Sequence, residues 1–132
     1  MIREARPTDY KAIKQLISAG VKEGSLQPRK KKEIKKSIKN GRTVVAEVED
    51  QIVGTASVTV YDMRLAEVRS LYVTEEARGN GLAKELINGI LEKPVAQLPS
   101  ATLIAITQTP EVFESVGFDT SQEKRHIVFK SI

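Results

Sequence analysis

Leu71-Tyr72-Val73-Thr74-Glu75-Glu76-Ala77-Arg78-Gly79-Asn80-Gly81-Leu82-Ala83 reads as a strand end, a glycine turn and the start of a helix. Gly79 and Gly81 remove the Cβ atoms that would keep a ligand off the backbone, and they permit the dihedrals of a tight strand-to-helix turn. Beyond the turn, Leu82, Leu86 and Ile90 recur every fourth residue with Ala83, Ile87 and Leu91 beside them, the pattern of an amphipathic helix with a wide apolar face. The first-turn N–H groups of such a helix have no intrahelical partner, and its dipole favours an anion at that end. Taken alone, Arg78 to Ala83 fits a phosphate cradle and a simple chain reversal equally. It is neither a Walker loop, which ends Gly-Lys-Ser/Thr, nor a dinucleotide fingerprint, which needs three glycines early in a βαβ unit.

Composition narrows the class. The chain has 132 residues, enough for one domain with a real core, and 40% of them are hydrophobic. Charged residues make up 29%, and no apolar stretch approaches the roughly 20 residues of a membrane span, so we expect a soluble cytoplasmic protein with no membrane partner. Met1-Ile2-Arg3-Glu4 enters a strand pattern without a signal-peptide core. Zero cysteines exclude disulfides, thiolate catalysis and a cysteine-held metal. The single histidine, His126, excludes a multi-histidine metal site and argues against a Ser-His-Asp triad; it reads as structural. No metal is expected.

The net charge of +4 is concentrated in Arg29, Lys30, Lys31, Lys32, Lys35, Lys36, Lys39 and Arg42. Clustered cations suit nucleic-acid phosphates. However, Ile34 and Ile38 stand four apart and can dock one side of a helix, leaving the lysines as its solvated face, and no aromatic residues interleave to stack on bases. We therefore expect no nucleic-acid partner. The charge can steer an anionic ligand.

Along the chain, Ile2 to Arg6 reads as an edge strand and Thr8 as the cap of a helix running to Gly20. A loop over Gly24 to Pro28 precedes the lysine-rich helix, which stops near Asn40-Gly41. Thr43 to Val48 and Ile52 to Val60 form a hairpin, and a strand follows over Leu65 to Val73. The helix after Gly81 runs to about Lys93 and Pro94 to Pro99 is a loop. Thr102 to Thr107 is a buried-type strand, and Pro110 opens a short helix closing at Gly117. Phe118 begins a last hairpin completed by Arg125 to Lys130. The order is β-α-α-β-β-β-α-β-α-β-β, an α/β (α+β) single domain over residues 1–132 around one mixed sheet.

Arg-x-x-Gly-x-Ala after a strand ending Leu-Tyr-Val resembles the acetyl-CoA pyrophosphate loop of the GNAT superfamily of N-acetyltransferases, and the element order is similar over nearly the whole chain. The resemblance implies a sheet whose antiparallel and parallel halves splay after the fourth strand, with the pantetheine arm of acetyl-CoA in the gap against the backbone of Leu71 and Val73. It assigns acetyl-CoA to Leu71, Tyr72, Val73, Arg78, Gly79, Asn80, Gly81, Leu82 and Ala83. Thr107 to Phe118 resembles the family's helix and Gly-Phe strand near the acetyl group. Glu23-Gly24-x-Leu26-x-Pro28-Arg29, Ala66 to Val73 and the Thr107 stretch are most similar to the acetyltransferase domain of N-acetylglutamate synthases, which would place the chain in arginine biosynthesis. The amino-acid-kinase domain of longer relatives is expected to be absent.

Acetyl transfer to an amine needs a base or water path for the amine proton, donors for the developing oxyanion and a proton source for the thiolate. Strand alternation places Glu67, Arg69, Leu71 and Val73 on one face and Val68, Ser70 and Tyr72 on the other. Glu67 is the candidate base, or else the ion-pair partner of Arg69; the pattern leaves both open. The resemblance implies a backbone oxyanion donor near Tyr72 or Val73. Phe113 stands where many GNAT enzymes carry a tyrosine acid, so solvent or a hydroxyl such as Thr107 or Thr109 takes that role. A carboxylate-bearing substrate calls for bidentate arginine, and Arg29 and Arg69 are the choices, with Thr107 beside them. Arg29 equally fits an exposed place in the basic helix. Thr107-Gln108-Thr109 lacks the basic residue that some glutamate synthases have there. Tyr61 and Tyr72 read as packing side chains.

The sequence thus points to an acetyl-CoA-dependent N-acetyltransferase for a small amine, with an acidic amino acid such as glutamate favoured. A polyamine, antibiotic or protein amine is the enzymatic alternative, and a catalytically silent acetyl-CoA sensor the non-enzymatic one. The oligomeric state stays open, a homodimer included.

Overall fold

The computed structural model describes residues 1–99, 101–120 and 126–131. The strands are β1 (Ile2–Glu4), β2 (Thr43–Val48), β3 (Gln51–Val60), β4 (Leu65–Val73), β5 (Thr102–Thr107), β6 (Asp119–Thr120) and β7 (His126–Ser131). The helices are α1 (Tyr10–Lys22), α2 (Lys31–Lys39), α3 (Leu82–Leu91) and α4 (Pro110–Glu114). All seven strands join one sheet in the order β1-β2-β3-β4-β5-β7-β6. This is the mixed α/β architecture and element order expected from the sequence. Among the described residues no helix is long and apolar enough to cross a membrane.

The sheet is covered on both faces, which is why β2 reads Thr43-Val44-Val45-Ala46 without a polar break. Val44 and Ala46 pack with Ala56, Val58, Val68 and the α3 residues Leu86, Ile87 and Ile90. Val45 points the other way, into Ile13 and Ile17 of α1 and Ile34 and Ile38 of α2. Each helix buries its apolar stripe and leaves its polar stripe in water. The lysines of α2 all face solvent, while Ile34, Ser37 and Ile38 are buried, as the spacing required.

Local boundaries differ where a single residue wins over propensity. Pro7–Asp9 forms a 3-10 turn, so α1 starts at Tyr10. Asp9 rather than Thr8 organises that start: its carboxylate accepts the Arg6 N–H at 2.7 Å and two bonds from Arg3 at 2.8 and 3.1 Å. The ladder claims only Ile2–Glu4 of the first segment, and Pro94–Gln97 is another 3-10 turn instead of a loop. Residue 125 lies outside the described residues, and the last strand begins at His126.

Two departures from regular pairing shape the functional face. β4 and β5 run parallel but pair only where Leu65, Ala66 and Glu67 meet Thr102, Leu103 and Ile104. Beyond that point β5 stays antiparallel to β7 along its whole length, so the two strands diverge and the edge of β4 from Val68 onward faces a gap. The splay is therefore as expected, but the parallel part is confined to the β4–β5 junction; β5, β7 and β6 are antiparallel.

The second departure is a bulge in β4. Thr55 pairs with Tyr72 and Ser57 with Arg69, so Ser70 and Leu71 together stand opposite Ala56. Ser70 has φ 58°, left-handed for a non-glycine residue. One extra residue shifts the alternation by one. Ala66 and Val68 face α3, and so do Leu71 and Val73, whereas Tyr72 crosses to the α1 side and packs at Gly20. The expectation that Glu67, Arg69, Leu71 and Val73 share a face is thus wrong. Glu67 and Arg69 share theirs with Tyr72, because Ser70 reset the register.

Candidate active site

The gap beside β4 offers free backbone. Thr74 donates to the Val53 carbonyl at 2.8 Å, which makes Val53 and Thr74 a hydrogen-bonded pair of the β3–β4 ladder. By antiparallel alternation the next pair, Gly54 and Val73, is non-hydrogen-bonded, so the N–H and C=O of Val73 point away from β3. Arg78 Nε donating to the Val73 carbonyl at 2.9 Å agrees with that direction. Tyr72, paired with Thr55, directs its amide into β3 instead. The backbone facing the gap therefore belongs to Val73 and the unpaired bulge residues Ser70 and Leu71, and Tyr72 supplies a packed ring. That ring is 7% exposed, and burial pushes its phenol above the ordinary range, with the Glu23 carboxylate adding to it.

Past β4 the chain makes one 3-10 turn, Glu75–Ala77, and enters the glycine turn. Gly79 and Gly81 have φ 86° and 77°, and a Cβ built on either would meet nothing within 4 Å. The glycines are there for backbone conformation and for an open approach, since no protein atom crowds them. Gly81 caps α3 with no side chain, so the first-turn N–H groups of a ten-residue helix face a recess of about 280 Å³. Val73, Leu82, Ala83, Val112 and Ser115 complete the recess. An open backbone and free helix N–H groups are what an anionic group such as a pyrophosphate would require here. Arg78 also lines the recess, and its guanidinium bridges the Glu23 carboxylate at 3.1 and 3.3 Å and lies 5.4 Å from the Tyr72 ring centroid. It braces the end of α1 against the turn. Asn80 likewise folds back, its amide donating to the Ala77 carbonyl at 3.4 Å.

A cleft of about 550 Å³ opens from the other end of the splay. Gly24 to Gln27 form one wall, Ile106 to Thr109 the other, and Glu67, Arg69 and Leu71 lie between them. Glu67 is not paired with Arg69: the Tyr61 hydroxyl donates to Glu67 Oε1, and among the described residues no ion pair includes Arg69. Thr107 is in the cleft, its hydroxyl taking the Thr109 N–H at 3.0 Å. Phe113 also reaches it, 2% exposed and edge-on to Phe118 at 5.2 Å, so its place is a core position with no proton to give.

For Arg29 the sequence left two places open, and the structure excludes the exposed one. The Arg29 side chain is only 6% exposed, not a member of the solvated face. Pro28 ends the loop and turns Arg29 inward before α2 begins. One terminal nitrogen donates to Ser57 Oγ at 3.0 Å, and Ser57 in turn donates to the Arg69 carbonyl at 3.1 Å. Nε is buried with no hydrogen-bond partner, Glu33 being 3.9 Å away. Burial and then the charge of Arg69 lower its pKa below that of an ordinary guanidinium. Arg69 lines the cleft; Arg29 lies behind it, close enough to feel its charge, with Glu33 as a loose ion-pair partner.

Sequence reading missed Ser57 and Tyr61. The signal was present: Ser57, Thr59 and Tyr61 alternate with Val58 and Val60, one polar face of a strand, and Glu67 and Arg69 oppose it on β4. The bulge at Ser70 left no such trace, because serine does not announce a positive φ. The role of the His126 side chain lies outside the described residues.

Comparison with known proteins follows the same geometry. A 33% identical match covers 86 residues, 65% of this chain and 54% of an uncharacterized N-acetyltransferase of Chlorobaculum tepidum; the chain spans about half that relative's length. Rv2747 from Mycobacterium tuberculosis, solved with CoA and NLQ, superposes with a TM-score of 0.85 over 100% of this chain and 99% of its own at 18% identity. N-acetylglutamate synthase from Neisseria gonorrhoeae, solved with coenzyme A and N-acetyl-glutamate, gives 0.83 over 99% of this chain and 34% of its own at 22% identity. Diaminobutyrate acetyltransferase from Paenibacillus lautus, solved with its substrate and coenzyme A, gives 0.76 over 99% and 93% at 15% identity. At these identities the superpositions establish the fold, while the sequence model of the acetyltransferase (GNAT) domain matches residues 15–129. The chain therefore belongs to the acetyltransferase (GNAT) domain family.

Proposed function

We propose that this protein is an acetyl-CoA-dependent N-acetyltransferase whose acceptor is a small amino acid, an acidic one such as glutamate favoured. The observation that carries the acceptor is the cationic end of the cleft: Arg69 lines it with no ion pair among the described residues, and Arg29 lies behind it, its side chain 6% exposed and its Nε without a hydrogen-bond partner. A buried cation whose carboxylate neighbour is 3.9 Å away and half-exposed is poorly compensated, and a substrate carboxylate nearby lowers that cost. Two arginines suit two carboxylates, and Glu67 on the same face suits the ammonium group. The same charges disfavour a polyamine, which would bring cations to Arg29 and Arg69.

Acetyl-CoA, held at the Gly79–Ala83 cradle with its arm along Leu71 and Val73, supplies a thioester acyl group. Glu67, on the acceptor side, takes the amine proton directly or through water. The Val73 N–H, turned out of the ladder, is placed to donate to the acyl oxygen. Phe113 gives no proton to the leaving thiolate, so that proton comes from solvent or from Thr107 and Thr109.

Calorimetric titration with acetyl-CoA, followed by thiol release against glutamate, other amino acids and polyamines, tests the reading. Binding with release on an acidic amino acid supports it. Turnover with a polyamine would overturn the acceptor assignment, and binding without turnover on any amine would make the domain an acetyl-CoA sensor.

A further inference from the structure

Tyr61 was expected to pack, yet it is 53% exposed at the end of β3. Its backbone N–H bonds the Leu65 carbonyl at 3.0 Å, which closes the β3–β4 hairpin and fixes where the ring starts. Thr59 stands opposite Glu67, so Tyr61 is the diagonal neighbour on the same face, within reach of a long side chain. The ring lines the cleft, and its hydroxyl donates to Glu67 Oε1. Among the described residues this is the one hydrogen bond to a Glu67 side-chain oxygen.

We propose that Tyr61 is the positioning residue of the proton-accepting side: its hydroxyl holds the Glu67 carboxylate in the cleft by one oxygen and leaves the other for the acceptor amine. The inference rests on the acetyltransferase reading above. Without the tie, a glutamate on a strand has three rotatable torsions and two arginines to choose from, and an ion pair with Arg69 would remove it from the amine. A hydroxyl donor avoids that loss. It stabilises the ionised carboxylate without adding a positive charge, so the arginines stay available for substrate carboxylates.

The charged and titratable groups around Glu67 are Tyr61 at the end of β3, Arg69 on β4, and Arg29 ahead of α2 with Glu33 of α2 behind it. On the β5 side Glu67 pairs with uncharged Ile104, and Thr107, whose strand partner is His126, lies farther along. At the hairpin tip, Asp62 is engaged with the N–H groups of Arg64 and Leu65 at 2.7 and 2.9 Å. The Tyr61 phenol is raised above its ordinary value, chiefly by the bond to Glu67.

The test has a kinetic and a turnover-free arm. In Tyr61→Phe, kcat/KM for the acceptor should fall about tenfold at neutral pH through kcat, while KM for acetyl-CoA should not change. A purely structural tyrosine would lower the melting temperature and leave kcat in place, and that result would overturn the proposal. Tyr61→Leu should reproduce the kcat loss of Tyr61→Phe, since either lacks the hydroxyl; a wild-type kcat in Leu would equally overturn it. In the second arm the Tyr61 phenol, assigned by its loss in Tyr61→Phe, is titrated by carbon-13 NMR in wild type and Glu67→Gln. Its midpoint should drop toward the ordinary value of about 10 in the variant. An unmoved midpoint would refute the contact. A moved midpoint in a protein that acetylates no amine would keep the contact and overturn the enzymatic reading beneath it.

Discussion

Replacing Arg29 with methionine should make the free protein more stable and the enzyme worse. The side chain is 6% exposed, Nε has no partner, and the nearest carboxylate oxygen, on half-exposed Glu33, is 3.9 Å away. A buried charge this loosely paired costs several kcal/mol, and the charged bond to Ser57 returns about 1.5–3 kcal/mol of it. Methionine keeps the apolar stem and removes the charge, and Ser57 keeps its bond to the Arg69 carbonyl. A net gain of about 1 kcal/mol is expected, a rise of about 3 °C in melting temperature for a chain of this size. Substrate binding moves the other way: losing one partner of a buried charge pair costs about 2–5 kcal/mol, so KM for an acidic acceptor should rise about a hundredfold. Thermal unfolding without ligand and thiol-release kinetics measure both quantities on one preparation. A fall of several degrees with KM unchanged would show that Arg29 is a structural cation, and the carboxylate-receptor argument would fail.

Gly81→Val forces a β-branched residue to φ 77°, a strain of about 1–2 kcal/mol, but nothing lies within 4 Å of its Cβ. The fold should survive while calorimetry shows at least a tenfold loss of acetyl-CoA affinity; unchanged affinity would refute the cradle. Asp9 is held below its usual value by Arg3 and the Arg6 N–H, so its contribution is full above about pH 4 and disappears as the pH falls through its lower folded value. Asp9→Asn should cost about 3 kcal/mol in urea unfolding at pH 7, and wild type should lose that advantage progressively as the pH falls below the ordinary carboxylate range. Leu86→Ala, fully buried between α3 and the sheet, should cost about 3 kcal/mol by the same measurement. Neutralising Lys31, Lys32, Lys35 and Lys36 together should leave both the fold and acetyl-CoA turnover in place, and wild type should not retard DNA or RNA even at low salt. Salt-sensitive retardation would restore the nucleic-acid reading.

Much of the architecture was legible because it rests on short-range patterns. Leu65 to Val73 and Thr102 to Thr107 were bounded correctly, since each apolar run ends at turn residues, and the glycine turn with its helix stood out by spacing alone. The lysine-rich segment was resolved by the four-residue spacing of Ile34 and Ile38. Errors arose where one residue changed the geometry of its neighbours. Asp9 displaced Thr8 as the organiser of α1, and Ser70 moved Tyr72 to the other face of β4.

The sequence by itself determined the element order and the location of the glycine turn ahead of its helix, since hydrophobic period, glycine and proline act within a few residues of themselves. Only the tertiary structure decided which polar groups meet. Arg29 and Ser57, or Tyr61 and Glu67, are brought together by strand register and by the path of the loop before α2. Burial gives those contacts their force: Arg29, for which a substrate role and a surface place were both open, has a buried site, one hydrogen-bond partner, a loose ion pair and an unsatisfied donor, and none of these can be seen along a linear chain.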